Sequence, residues 1–257
     1  MILNNLIKLP ILKRAIPSIL KKYIYWTNNY EKKVTIENIS YDLDLRHLID
    51  RRFFLHRGYE DELYYNLCKI IKKEKIQYFL DIGSCWGVYS LRLANIFKNL
   101  RILAFDPIQK NIDRLISSIK KNKLKNIKTY KTAIGDKKGT VKLGATEDYS
   151  PNYKINESNQ VITEYSKINL IDNLIFLKNK KIICKIDTES FEFKVIKGAK
   201  RLLKNNKCFL QIEIVKSNKN KVINFLKKIG YKLISNNINN KGDYFFSNFI
   251  FKKIDIQ

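Results

Sequence analysis

The nine residues Phe79-Leu80-Asp81-Ile82-Gly83-Ser84-Cys85-Trp86-Gly87 constrain this chain more than any other stretch. An apolar run, Ile76 to Ile82, ends in a glycine turn and leads straight into the helical pattern of Val88 to Phe97. That is the signature of a buried strand passing through a tight turn into a helix. Gly83 and Gly87 let the backbone turn sharply and come close to a ligand. The helix N-terminus behind them presents N–H donors and positive potential. Asp81 adds a negative charge, which suits a cationic amino-acid group better than a pyrophosphate, and the G-x-G-x-x-G spacing of dinucleotide sites is absent.

The rhythm continues downstream. Arg101–Phe105 reads as a second strand, followed by a helix with Ile112, Leu115, Ile116 and Ile119 on one face. Ile127–Thr132 is a third strand, Gly135–Gly139 a turn, Thr140–Leu143 a short strand and Gly144–Ser166 a long polar loop. Ile182–Ile186 is a fourth strand, and one helix follows with Val195, Ile196, Ala199, Leu202 and Leu203 inward. Phe209–Val215, a helix through Val222, Phe225, Leu226 and Ile229, and strands Tyr231–Ile234 and Tyr244–Phe251 close the pattern. Alternation of this kind predicts an α/β fold with a mostly parallel central sheet flanked by helices. The first 70 residues depart from it. Leu6, Leu9, Ile16, Ile19, Leu20 and Tyr23 predict short, basic, amphipathic helices that pack on the domain, touch a substrate or rest on a membrane surface. The expected division is a helical basic extension over 1–55 and one domain over 56–257.

No apolar run approaches the ~18 residues of a transmembrane helix, and Lys8, Lys13, Arg14, Lys21 and Lys22 interrupt any leader-like segment. The chain reads as cytoplasmic. Cys68, Cys85, Cys184 and Cys208 form no C-x-x-C pair, and His47 and His56 are the only histidines. No metal site is expected from that inventory. A net charge of +26 raises the question of an anionic partner. The excess lysine is spread from end to end with abundant Ile and Asn, which compositional drift explains more simply than a nucleic-acid site.

Candidate functional residues sit where strands end. Ala104-Phe105-Asp106-Pro107 places a carboxylate about 20 residues past the glycine turn, the separation at which an acidic residue reaches a nucleotide ribose. Asp106 can equally cap the helix that follows Pro107. In Ala133-Ile134-Gly135-Asp136 the aspartate can reach an adenine amino group or simply form a turn. In Lys185-Ile186-Asp187-Thr188-Glu189-Ser190 two carboxylates lie beside the reacting position. They can accept a proton, position a substrate, help hold a metal or match the next helix's first turn.

Together these segments resemble the FkbM-type methyltransferases of the class I S-adenosylmethionine-dependent group. The family's D-[VI]-G-A-N-x-G is matched by Asp81, Gly83 and Gly87, with Ser84 and Cys85 in place of Ala-Asn. A-F-E-P is matched by Ala104–Pro107, A-[VL]-G-D-x-x-G by Ala133–Gly139, and K-I-D-V-E-G by Lys185, Ile186, Asp187 and Glu189. Thr188 and Ser190 depart from that last motif. A short L-D element is similar to Leu170-Ile171-Asp172, E-x-x-V-L-K-G-A to Glu192–Ala199, and V-E-I to Ile212-Glu213-Ile214. The resemblance covers about two thirds of the chain and none of residues 1–55. It implies a Rossmann-like fold, S-adenosylmethionine as cofactor, and methyl transfer to a hydroxyl of a sugar, glycan or secondary metabolite. It also implies roles for Asp81, Gly83 and Gly87 at the methionine portion, Asp106 at the ribose, Asp136 at adenine, and Lys185, Asp187 and Glu189 beside the substrate. An RNA ribose or cap methyltransferase, or a non-catalytic binding module on the same fold, are the alternative readings.

Overall fold

A computed structural model of the 257-residue chain describes residue 19 and residues 22–56, 58–145, 154–155, 162–236 and 242–249. Its centre is a seven-stranded sheet ordered β12-β13-β11-β10-β3-β4-β5. The parallel members are β3 (Tyr78–Ile82), β4 (Arg101–Asp106), β5 (Ile127–Lys131), β10 (Lys181–Ile186) and β11 (Lys207–Glu213). At one edge β13 (Asp243–Ser247) runs antiparallel to both β11 and β12 (Lys232–Asn236).

Strand β3 shows why the sheet is covered on both faces. All five of its residues are buried. Phe79 joins a core with Leu67 and Ile71 of α2 (Asp61–Glu74), Leu91 of α3 (Val88–Ile96) and Leu115 of α4 (Gln109–Lys121). Leu80 and Ile82, one pleat over, join an opposite core with Val195, Leu202 and Val222. That second layer is built from α5 (Ile171–Leu174), α6 (Glu192–Gly198), α7 (Lys200–Asn205) and α8 (Lys219–Lys228). Cys184 and Cys208 are buried there as small apolar residues. The result is the three-layer α/β fold with a mostly parallel central sheet that the alternation predicted.

Three local expectations need correction. Residues 31–44 are not helical: β1 (Glu31–Ile36) and β2 (Ile39–Asp44) form an antiparallel hairpin ahead of α1 (Leu48–His56). Its two-residue turn uses Glu37 and Asn38, both at positive φ, and it buries Ile36, Ile39, Tyr41 and Leu43 in the same core as Phe79. The single helix expected over 195–203 is two, broken at Ala199, and Asp172 accepts from the N–H groups of Arg201 and Leu202 to cap the second. The long polar loop is partly strand. β7 (Gly139–Ala145), β8 (Lys154–Ile155) and β9 (Ile162–Asn169) join β6 (Ala133–Ile134) in a four-stranded sheet ordered β6-β9-β7-β8. The helices expected before residue 19, and the end of the last strand beyond residue 249, lie outside the described residues.

Candidate active site

The carboxyl ends of β3, β4 and β10 open into a cavity of about 550 Å³. Open α/β sheets bind ligands at this edge. The N–H groups of Gly83 and Ser84 donate to the carbonyl of Phe105 at 2.9 and 3.0 Å, folding the turn after β3 onto the end of β4. Gly83 has φ +83°, and a Cβ there would lie 1.7 Å from the carbonyl oxygen of Asp187. Only glycine lets the two strand ends pass. Cys85, at φ +50°, donates its N–H to Asp106 Oδ2 at 2.9 Å.

Asp106 caps the start of the helix that follows it and also lines the cavity. Its Oδ1 accepts from the Ile108 N–H and Asn111 Nδ2 at 2.9 and 3.0 Å, which fastens the start of α4. Its Oδ2 takes one protein donor and lines the cavity with capacity to spare. Burial pushes this carboxyl up to about 7 despite the three donors that favour its charged form.

The cavity is polarised. One wall is apolar, made by Ile108, Ala133, Ile134, Leu143, Ile155 and Phe191. The small sheet supplies much of it, and most of these residues pack as a cluster of their own. The other end is lined by Glu60, Asp187, Glu189, Glu213 and Asp243. In a chain with 50 basic and 24 acidic residues, Arg52 is the one basic side chain lining the cavity among the described residues.

Asp187 Oδ2 accepts from Lys185 Nζ at 2.9 Å. Lys185 is buried against the Tyr89 ring; burial alone would strip its proton, but Asp187, Glu60 and Asp81 hold it charged. Glu213 sits at the end of β11, one step past the Ile186–Ile212 register pair, and faces Asp243 across β13. It keeps solvent contact at the cavity mouth. Burial of the rest of its carboxyl, then Asp187, push it up to about 8. Burial, then Glu60, push Asp243 to about 6.

Of the sequence-derived candidates, the structure brings Gly83, Asp106, Asp187 and Glu189 to the cavity wall. The other four are absent from its lining. Asp81 is buried and accepts from Ser90 Oγ at 2.6 Å. A Cβ on Gly87 would lie 2.4 Å from a methyl of Leu115, so this glycine serves the approach of α4. Asp136 is paired with Lys197 at 2.7 Å, and that hydrogen bond holds its carboxyl below the usual range. Lys185 reaches the site through Asp187.

Glu60, Tyr59, Arg52 and Asp243 carry no local sequence signal and enter by tertiary placement. Glu213 was findable, since it ends β11 as Asp187 follows β10. The loop after β10 is conformationally costly: Glu189 and Ser190 both have positive φ, +45° and +80°. Glu192 accepts the Ser190 N–H, and Asn218 donates to the Ser190 carbonyl, each at 2.8 Å. Among the described residues no group of His, Cys, Asp and Glu has a metal-holding arrangement.

The model of the methyltransferase FkbM domain matches residues 81–233, more than half of the chain. The chain belongs to the FkbM methyltransferase family. Its cofactor is S-adenosylmethionine. No curated protein matches the sequence. Solved structures similar to this FkbM-family chain include M. jannaschii TYW2 in complex with AdoMet, at 12% identity over 85% of this chain and 84% of that one, TM-score 0.48. Another is the human methyltransferase 10 domain containing protein, at 13% identity over 81% and 88%, TM-score 0.47. A third is the ribosomal protein L11 methylase from Lactobacillus delbrueckii subsp. bulgaricus, at 11% identity over 74% and 79%, TM-score 0.46.

The residues present fit that cofactor. The apolar wall suits a purine face, Asp106 suits ribose hydroxyls, and the acidic end suits an ammonium and a sulfonium. Thr188 adds a buried Oγ1 with no hydrogen-bond partner to the same cavity.

Proposed function

We propose that this methyltransferase acts on a hydroxyl of a sugar, glycan or secondary metabolite. The observation that carries this reading is the carboxylate-lined mouth. Glu60, Asp187, Glu189, Glu213 and Asp243 crowd carboxyl groups together, a lining that disfavours a polyphosphate backbone and offers hydrogen-bond partners to a polyol.

Bound S-adenosylmethionine supplies a methyl already activated on a sulfonium, so the chain's share is positioning, exclusion of water and uptake of the hydroxyl proton. Asp106 accepts from the ribose hydroxyls. The turn at Gly83 takes the methionine end, and Asp81 steadies that turn from behind through Ser90. The wall of Ile108, Ala133, Ile134 and Leu143 takes the purine, a role that Asp136, turned to Lys197, leaves to apolar contact. Asp187, held in place by the Lys185 ammonium, accepts the acceptor's proton together with Glu213, and Glu189 orients the acceptor from the strained loop.

Titration calorimetry with S-adenosylhomocysteine on wild type and Asp106→Ala tests the cofactor assignment. Labelled-methyl assays against glycans, small hydroxylated metabolites and RNA test the acceptor. Methylation of RNA with an affinity that falls steeply with salt would overturn the hydroxyl-metabolite reading.

A further inference from the structure

S-adenosylmethionine carries a sulfonium, an ammonium and a carboxylate. The carboxyl-lined end of the cavity answers the two cations and is unfavourable for the anion, which needs a donor or a cation of its own. Backbone donors at that end are already used. In the turn after β3 the N–H groups of Gly83 and Ser84 donate to the Phe105 carbonyl, that of Cys85 to Asp106 and that of Gly87 to the Ser84 carbonyl. Across from them the Asp187 N–H donates to the Ile82 carbonyl. Lys185, bonded to Asp187, does not line the cavity.

Arg52 meets the need by position. Leu48, Ile49 and Arg52 of α1 line the cavity together, at i, i+1 and i+4 of that helix. Their neighbours fix the helix: buried Asp50 pairs with Arg114 of α4 at 2.7 Å, and Arg51 donates to the carbonyls of Leu45 and Arg46 at 2.8 and 2.6 Å. Every other described arginine donates to a carboxylate, carbonyl or hydroxyl of this chain. Arg52 has no hydrogen bond or ion pair among the described residues. The Tyr59 hydroxyl locates it along the cavity. Burial and then Glu60 push that hydroxyl up, Lys185 opposes them, and Asp187 and Arg52 act on it as well. Arg52 therefore stands at the acidic end and not along the apolar wall.

We propose that Arg52 receives the carboxylate of the cofactor's methionine portion. A planar guanidinium matches a carboxylate better than a lysine ammonium does. The inference rests on the cofactor placement proposed above. It extends the cofactor site to a helix ahead of residue 81, where the match to the family domain begins.

Titration calorimetry compares S-adenosylhomocysteine with S-adenosyl-3-thiopropylamine, which lacks only the carboxylate, on full-length wild type, Arg52→Gln, Arg52→Lys and Asp106→Ala. Wild type should bind S-adenosylhomocysteine about 10–100-fold more tightly than the decarboxylated ligand. Arg52→Gln should remove most of that preference by weakening S-adenosylhomocysteine alone, and Arg52→Lys should restore part of it. Unchanged affinity for the decarboxylated ligand shows that Arg52→Gln is folded with its site intact. Asp106→Ala should weaken both ligands alike and keep the preference. No preference in wild type, a preference that survives Arg52→Gln, or equal loss of both ligands in that variant would overturn the proposal and leave the Asp106 placement standing. Asp106→Ala without effect on either ligand would overturn that placement, and this proposal with it.

Discussion

The backbone N–H of Cys85 and the Oδ2 of Asp106 are 2.9 Å apart and hydrogen-bonded. This bond joins the turn after β3 to the carboxylate at the end of β4. The carboxylate proposed to hold the ribose is therefore oriented by the loop proposed to take the methionine end. The left-handed φ of Cys85 aims its N–H that way. The family's Asn at this position tolerates that conformation better than Cys does, so the departure keeps the geometry at a small conformational cost.

Cofactor affinity should depend on the charge of Asp106. Burial pushes its carboxyl up to about 7 in the free protein. Ribose hydroxyls donate best to the charged form, so below that pH binding must first expel a proton. S-adenosylhomocysteine affinity should rise by up to about tenfold per unit from pH 6 toward 7 and level off above it. Asp106→Asn should bind about 10–100-fold more weakly, with no such pH limb, because a charge-assisted hydrogen bond is replaced by a neutral one. A pH-dependent Asn variant in calorimetry would sink this assignment.

The legible and illegible parts of the site divide on a physical line. Gly83, Asp106, Asp187 and Glu189 were readable because strand ends announce themselves through apolar runs that stop, and ligands of α/β sheets gather there. Asp81 and Asp136 were readable as residues but not as directions. Asp81, inside β3, points under α3 to Ser90, and Asp136 turns outward to Lys197. Glu60 and Asp243 arrive from a loop and an antiparallel strand, and no local pattern marks either. The hairpin at 31–44 was missed because its turn uses Glu37-Asn38 without a glycine, and its strands carry charged residues between the apolar ones.

Gly198 should prove a packing glycine. A Cβ on it would lie 1.9 Å from the carbonyl oxygen of Gly135, a backbone atom that cannot rotate away. Gly198→Ala should lower stability by about 1–3 kcal/mol, more than the helix propensity of alanine returns. Because Ala133 and Ile134 precede Gly135 in the cavity wall, cofactor affinity should fall as well. Gly230→Ala, with φ +92° and open space around the new methyl, should cost only the left-handed backbone penalty of about 1–2 kcal/mol and leave affinity unchanged. Urea unfolding and calorimetry on the two variants check the contrast.

Arg92 should fasten the N-terminal hairpin to the catalytic layer. Its side chain is 1% exposed and pairs with Glu37 at 2.7 Å and Asp61 at 2.9 Å. It also donates to the Tyr59 carbonyl at 3.2 Å and lies over the Tyr64 ring at 3.7 Å. Arg92→Met leaves two partly exposed carboxylates without their cation and should cost about 2–4 kcal/mol. Arg92→Lys retains the charge but loses the planar fork, so it should recover only part of that. Both variants should weaken S-adenosylhomocysteine binding, since Tyr59 and Glu60 line the cavity beside the carbonyl Arg92 holds. Unchanged urea midpoints would contradict the tie.

Titration of Glu213 beside Asp187 should set the rate. Lys185 donates to Asp187, while burial and then the neighbouring Asp187 push Glu213 up to about 8. Near neutral pH Glu213 therefore holds a proton that it shares with Asp187; above about pH 8 that proton is gone and the site can take up the hydroxyl proton. With the acceptor found by screening, kcat should climb by up to about tenfold per unit toward pH 8 and then level. Glu213→Gln should remove that limb, and Asp187→Asn should lower kcat by about 10²–10⁴ with cofactor affinity nearly unchanged. Stability runs in the opposite direction to the rate. Folding raises the Glu213 pKa from 4.5 to about 8, so the native chain holds a proton that the unfolded chain releases. The stability this proton contributes is full below pH 4.5 and is lost as pH rises through about 8. Urea unfolding of Glu213→Gln should accordingly vary less over that window than wild type, and a rate profile identical in the two proteins would exclude the pair as the proton acceptor.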